Sequence, residues 1–576
     1  MEFRELTQYF EKLEGTSSRL TLIEILSELF KKTPAGEIEK IVYLIQGRLA
    51  PFFAPIEIGM AEKTVAEALA LAYGSTKETV IKEFNKLGDM GTVAQQLNSK
   101  FKIQNSKLTV SEVYVILLQI ANTRGEGTVE KRQMLLSELL KKLDAISAKH
   151  LVRIPLGNTR LGIGDPTVLD ALATAKLGDK SQRKLLEGAY NRTSDLGLIA
   201  KTLWDDGLPA VQKLELRVGY PVRSELCERL PNPEKVIEKM EEVDVQYKYD
   251  GFRVQLHKNG DEVRMFSRNL EEMTHMFPEL TKAVRKQIKA KTIILDSEAL
   301  AYNPESEEFL PFQETTKRRR KHRIEEMAKS LPLKAFVFDI LYKDGRSLID
   351  LPLTKRMEIL KEVLPEDDVL IRTKNQTVSD AKTLSLLLED AISKGLEGLV
   401  IKKLESPYEA GARNFNWVKL KRHSSGELDD TIDCVILGYI SGKGKRTAFG
   451  AGALLVGVYD KEKDEFVSVS KIGTGLTDEE WREVHKRADK ISLEHKPARV
   501  SSNIIPSVWI EPKIVIEVLA DEITRSPIHT AGKTATEPGY ALRFPRLVSF
   551  RNADKKPEDA TSVTELIEMY QQQGKK

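Results

Sequence analysis

A chain of 576 residues, 41% hydrophobic and 30% charged, has the length for three or four domains and the balance of a folded rather than a disordered protein. Its 89 basic and 86 acidic residues leave a net charge of +3, a total within which a basic, nucleic-acid-binding face can still hide. No apolar run is long enough to cross a bilayer, and the charged start MEFRELTQYFEKLEG does not read as a secretory leader; membrane, secreted-precursor and fibrous classes are excluded.

Residues 1–215 are predicted to be helical. Leu22, Ile25, Leu26 and Leu29 fall at i, i+3, i+4 and i+7, Leu136, Leu139, Leu140 and Leu143 repeat the spacing, and Thr16, Ser17 and Ser18 offer N-caps before the first set. The pattern changes near Gly219-Tyr220-Pro221. From 216 to 421 strands and helices mix. From 422 to 576 short β-rich runs with glycine turns predict a small barrel or sandwich, closed by a helix from Ala560 to Gln573. Cys227 and Cys434 are far apart and neither belongs to a CxxC pair, and the eight histidines form no HExxH or HxxxH cluster. The expectation is a reducing, intracellular (cytoplasmic) protein without a disulfide scaffold or thiolate zinc site.

The stretch Val243-Asp-Val-Gln-Tyr-Lys-Tyr-Asp-Gly-Phe-Arg253 carries the chemistry. In a strand, Asp244, Gln246, Lys248 and Asp250 share the face opposite Val243, Val245, Tyr247 and Tyr249. Asp250-Gly251 predicts a hairpin turn that returns Arg253 toward Lys248. A lysine in a pocket beside other cations is a candidate nucleophile. With a pKa of about 10.4, only about a thousandth of an ordinary lysine is neutral near pH 7.4, a deficit of ~4 kcal/mol that neighbouring positive groups reduce. A lone KxDG also fits a solvent-facing lysine beside a turn, so the downstream segments matter. Ile293-Ile-Leu-Asp-Ser-Glu298 ends an apolar strand with Asp296 and Glu298 on one face. Phe336-Val-Phe-Asp-Ile340 sets out two aromatics, Phe336 and Phe338. Glu397-Gly-Leu-Val-Ile-Lys402 opens with a carboxylate, and Trp417-Val-Lys-Leu-Lys421 aligns Lys419 with Lys421. Together they supply an amine, carboxylates for a hard divalent ion, an aromatic platform and phosphate-binding cations. No Walker A loop is present.

In these residues the chain resembles the ATP-dependent DNA ligases of the archaeal and eukaryotic replicative type, over nearly its whole length. Lys248-Tyr-Asp-Gly-Phe-Arg253 looks like nucleotidyltransferase motif I and Phe266-Ser-Arg-Asn269 like the arginine segment after it. Leu295–Glu298, Phe336–Ile340, Glu397–Lys402 and Trp417–Lys421 look like motifs III, IIIa, IV and V. Tyr408–Arg413 looks like the segment between the last two, and Leu542-Arg-Phe-Pro-Arg546 like motif VI. Arg153–Gly164 and Asn191–Gly197 resemble parts of the helical DNA-binding domain of these ligases. The resemblance implies an all-α DNA-binding domain (1–215), an α+β adenylation domain (216–421) and an OB-fold with a C-terminal helix (422–576).

It also implies three steps: Lys248 takes AMP from ATP, AMP passes to the 5′-phosphate of a nick in double-stranded DNA, and the 3′-hydroxyl displaces it. By the same carry-over Gln246, Arg253, Arg268, Glu298, Phe338, Arg413, Lys419 and Lys421 bind nucleotide, Glu298 and Glu397 hold Mg2+ (with Mn2+ as a substitute), and Arg543 and Arg546 orient pyrophosphate after the barrel swings over the pocket. The segment from 422 to 427 is the expected hinge. Many relatives carry glutamate where Gln246 stands. An amide both accepts and donates, which predicts looser nucleotide choice, with some use of GTP or dATP. The basic run from Lys317 to Arg323 is expected to face DNA. A sliding clamp is a candidate partner without a clear motif near Gln104, and a monomer is expected. Two other readings stay open: an RNA ligase or RNA-capping guanylyltransferase, which the large helical region argues against, and a catalytically silent scaffold, which the intact set of Lys248, Glu298, Glu397, Lys419 and Lys421 argues against.

Overall fold

The helical spacing of the first segment is realised in the computed structural model as a series of helices from Phe3–Glu14 to Leu208–Gln212. The structure describes every residue except 102–106, 304–307, 311–314, 316, 320–322, 366, 394–395, 422–429, 442–450, 474–475, 553 and 574–576. The expected hinge at 422–427 and most of the segment around Gln104 lie outside the described residues. Helix Arg19–Lys32 shows why the spacing works: Ser18 caps it by accepting from the Thr21 amide, and Leu22, Leu26 and Leu29 are fully buried. These side chains join one apolar core that runs through the helical segment to Val211.

The middle segment builds twelve described strands: β1 (Leu226–Arg229), β2 (Val243–Lys248), β3 (Phe252–Asn259), β4 (Glu262–Ser267), β5 (Thr292–Asn303), β6 (Glu308–Phe309), β7 (Leu333–Lys343), β8 (Arg346–Ser347), β9 (Leu370–Arg372), β10 (Asn375–Val378), β11 (Gly398–Lys403) and β12 (Arg413–Lys421). They form two sheets. One runs β1-β12-β11-β2-β10; the other runs β4-β3-β5-β7-β8, with β6 on β5 and β9 on β7. The expected hairpin at Asp250-Gly251 is therefore corrected. β2 pairs with β10 and β11, whereas β3 pairs with β4 and β5, so the turn passes the chain from one sheet to the other. A Cβ on Gly251 would collide with the Ala299 carbonyl, so this crossing needs glycine.

In the last segment, strands Ile432–Ser441, Ala451–Asp460 and Glu465–Ile472 pair antiparallel in succession, and Val515–Leu519 bridges the first of them to Arg546–Phe550. The chain ends in a helix, Val563–Gln572, whose Ser562 and Glu565 form a capping box.

Candidate active site

The site opens where the two sheets of the middle segment face each other. Antiparallel register across β2, β11 and β12 sets side chains in rows. Asp244, Lys402 and Trp417 share one row, Gln246, Val400 and Lys419 the next, and Lys248, Gly398 and Lys421 the third. Gly398 has φ of +145°, and a Cβ there would strike the Leu420 carbonyl; the gap it leaves separates two lysines. Glu397, the residue before it, pairs with both Lys248 and Lys421. Lys421, rather than the Arg253 expected from the turn, shares a carboxylate with Lys248.

The second sheet supplies the opposite wall. Register places Arg253 beside Glu298. Arg253 donates to both oxygens of Asp296, from Nε at 3.0 Å and Nη2 at 2.6 Å, and the Tyr408 hydroxyl donates to the same carboxylate at 2.9 Å. Asp296, which sequence alternation sets on the face of Glu298, is buried as the anchor of Arg253. Phe338 on β7 meets Trp417 edge-on, with ring centroids 5.9 Å apart, while Phe336 stacks on Tyr249 at 3.8 Å. Between the walls lies a cavity of about 440 Å³, lined by Gln246, Lys248, Arg253, Arg268, Glu298, Phe338, Glu397, Arg413, Lys419 and Lys421. All the expected nucleotide-binding residues are gathered here. Arg543 and Arg546 are not: both are exposed, Arg543 donating to Thr524 and Arg546 to Asp521.

The last segment instead presents acidic side chains to this cavity. Glu565 pairs with Arg413 and lies 3.9 Å from Lys419, Asp559 is 3.8 Å from Arg268, and Asp430 is 3.4 Å from Lys421. Carboxylates occupy cations that an anionic substrate would use. Two described members of the basic run are held within their own segment: Arg318 is buried against Glu279, and Arg319 pairs with Glu271 at 3.0 Å. Residues 320–322 of that run lie outside the described residues.

Burial dominates the electrostatics. It pushes the Glu298 carboxyl up to about 7, Glu397 adding to the rise against the pull of Lys248 and Arg253. Burial also raises Glu397, but Lys248 and Lys421 overcome it and hold the group well below the usual carboxylate range. Lys419 is drawn down to about 7 by burial, with Arg229 and Lys421 adding to the fall. Among the described residues, the group of three metal-capable side chains is Glu11, Glu14 and His150 in the helical segment. Lys149 pairs with both glutamates and Arg153 with Glu14, so that cluster already holds its cations.

Sequence reasoning missed three partners of the pocket. Asp244 lay on the predicted Lys248 face but was given no role. It accepts from Gln246 Nε2 at 2.8 Å and from Asn375 Nδ2 at 2.8 Å. Asn375 and Glu565 sit in no motif; only the folded chain brings them here.

Three family models match the chain: "DNA ligase N terminus" over residues 2–173, "ATP dependent DNA ligase domain" over 224–421, and "ATP dependent DNA ligase C terminal region" over 447–555. A "Probable DNA ligase" of Dictyoglomus turgidum is 49% identical over 576 residues, covering 100% of this chain and 98% of the relative. A "DNA ligase 2" of Thermofilum pendens is 43% identical over 592 residues, with 100% and 98% coverage. A "DNA ligase" of Sulfolobus acidocaldarius is 39% identical over 592 residues, with 100% and 99% coverage.

Proposed function

Since the chain belongs to the ATP-dependent DNA ligase family, an enzyme that seals nicks by forming phosphodiester bonds at the expense of ATP, we propose that Lys248 is the residue that carries the adenylyl group. The observation that supports this is the row Lys248–Gly398–Lys421 with Glu397 between its two amines, opening into a cavity walled by Arg253, Glu298, Phe338, Arg413 and Lys419. The Lys248 amine attacks the α-phosphorus of ATP. A P–N bond forms, the bond to the bridging oxygen breaks, pyrophosphate leaves, and the amine loses a proton. AMP then moves to the 5′-phosphate of the nick, and the 3′-hydroxyl displaces it. Each step joins anions, so charge neutralisation and in-line alignment outweigh proton transfer.

Lys419 and Lys421 neutralise the α-phosphate, Arg268 and Arg413 contact phosphate, and Arg253, fixed by Asp296, faces the ribose. Phe338 stacks on the base, and Gln246 reads its edge. Glu298 and Glu397 both line the cavity and offer hard oxygen donors, so the residues fit magnesium. Bound there, Mg2+ or Mn2+ supplies Lewis-acid charge to the phosphates. Arg543 and Arg546 act on pyrophosphate only after the last segment has turned. In the present pose Lys248 donates to Glu397.

The domain limits 1–215, 216–421 and 422–576 accompany this reading, as do an all-α DNA-binding domain, an OB-fold in the last segment, nicked duplex DNA as partner and a monomeric enzyme. Clamp binding is left without a motif to support it. Incubation with ATP labelled at the α-phosphate tests the central assignment. Wild type is expected to hold acid-labile AMP at Lys248, and Lys248→Ala, with an unchanged melting curve, to hold none. An adduct elsewhere would refute it.

A further inference from the structure

The end of the pocket at Gln246 is wired to groups outside it. Gln246 is buried on β2, and Asp244, two residues earlier, is buried on the same face. Asn375, the first residue of β10, is the register partner of Gln246. Gln246 Nε2 donates to one oxygen of Asp244 and Asn375 Nδ2 to the other, each at 2.8 Å. Lys402 stands opposite Asp244 in the third strand of the row.

A carboxylate can only accept hydrogen bonds, so only the NH2 end of the Gln246 amide can face Asp244. A flip would set oxygen against oxygen in a buried place. The carbonyl Oε1 is therefore the end of the amide turned away from Asp244, and Gln246 lines the same cavity as Lys248 and Phe338. An acceptor held there pairs with the exocyclic amine of adenine and opposes the 6-oxygen of guanine. We propose that Asp244, acting through Gln246 and braced by Asn375, is a positioning residue that sets the nucleobase preference of the pocket. It makes the glutamine behave as a glutamate would. This rests on the assignment of the Lys248 pocket to ATP, and it runs against the looser choice that an unconstrained amide predicts.

The same wiring defines a switch. In Asp244→Asn, the new Oδ1 still accepts from Asn375, which leaves Nδ2 facing Gln246. Gln246 then turns to accept, and its own NH2 faces the base, where it suits guanine. Adding Gln246→Glu reverses the change: the introduced amide donates to one oxygen of the introduced carboxylate, whose other oxygen again accepts from adenine.

The test counts covalent nucleotide on the full chain with magnesium and α-labelled ATP, GTP or purine riboside triphosphate, which lacks a 6-substituent. Wild type is expected to label fastest with ATP, more slowly with the unsubstituted purine and slowest with GTP. The GTP-to-ATP rate ratio is expected to rise by at least ~10-fold in Asp244→Asn and to return toward wild type in Asp244→Asn/Gln246→Glu. Equal labelling of wild type by ATP and GTP would overturn the proposal whether or not the variants fold. So would an unchanged ratio in Asp244→Asn with a native melting curve, or failure of the double variant to restore it. Absence of any adduct in every arm would overturn the Lys248 assignment and this proposal with it, a result distinct from labelling at an unaltered ratio.

Discussion

Lys419 and Glu298 titrate in the same range and in opposite senses. Each is drawn to about 7, the lysine downward and the carboxyl upward, with burial as the first cause in both. Lys419 is charged below that pH and neutral above it, so its pull on phosphate fades as pH rises. Glu298 is neutral below that pH and an anion above it, so its capacity to hold a cation grows. The two limbs overlap, and any single optimum belongs to the pair. Arginine keeps its charge throughout. The rate of AMP labelling in Lys419→Arg, divided by that of wild type, is therefore expected to climb as pH passes above 7; a flat ratio from pH 6 to 9 would remove Lys419 charge from the account. Much of this pocket was legible in the chain because strand alternation places Gln246 and Lys248 on one face and β-register carries Lys419 and Lys421 to them. What alternation cannot convey is burial, and burial moves both of these groups.

The C-terminal helix shows the same limit one level up. Its existence followed from spacing, and the helix Val563–Gln572 lies inside the expected span. Its partner did not follow, since nothing near residue 565 marks a contact with Arg413 or Lys419. The Asp250-Gly251 turn was misread for a related reason: the dipeptide specifies a reversal, but which sheet receives the next strand depends on β5 and on the close approach to Ala299. Glu565 is buried and held down to about 2, where Arg413 and Lys419 outweigh the upward push of burial. It occupies two cations that the proposed reading assigns to phosphate. Glu565→Gln keeps a side-chain acceptor for the Ser562 cap while removing the charge. Covalent AMP formation by this variant is expected to be about 3- to 10-fold faster than wild type at low ATP, with helix content unchanged by circular dichroism. A slower reaction would mean that the carboxylate assists nucleotide binding.

Across the whole molecule, the first and last segments are fastened by Asp464. Thr167 donates to it at 3.0 Å, Arg499 at 2.5 Å, and Arg19 lies 3.7 Å away while pairing with Asp170 at 2.7 Å. Asp464 and Arg499 are both buried, and removing one partner of such a group strands the others. Asp464→Ala is expected to loosen the closure, read as a larger radius of gyration by small-angle X-ray scattering and a steeper increase with salt. An identical scattering curve would place the fastening elsewhere. With the segments closed in this way, the carboxylates of the last segment lie over the pocket and Arg543 and Arg546 outside it.

Lys421 is the final residue of β12, and its amine touches Glu397 on one side and Asp430, in the segment that follows, on the other. On the proposed reading, loading Lys248 with AMP ends its ion pair with Glu397 and sets a phosphate anion beside it, and Glu397 then depends on Lys421 alone. The grip of that amine on Asp430 weakens at the same moment. The change of charge in the chemistry, a cation lost and a phosphate anion gained, would thus be felt at the seam between two segments, so that a filled enzyme lets go of its own cover before the broken strand arrives.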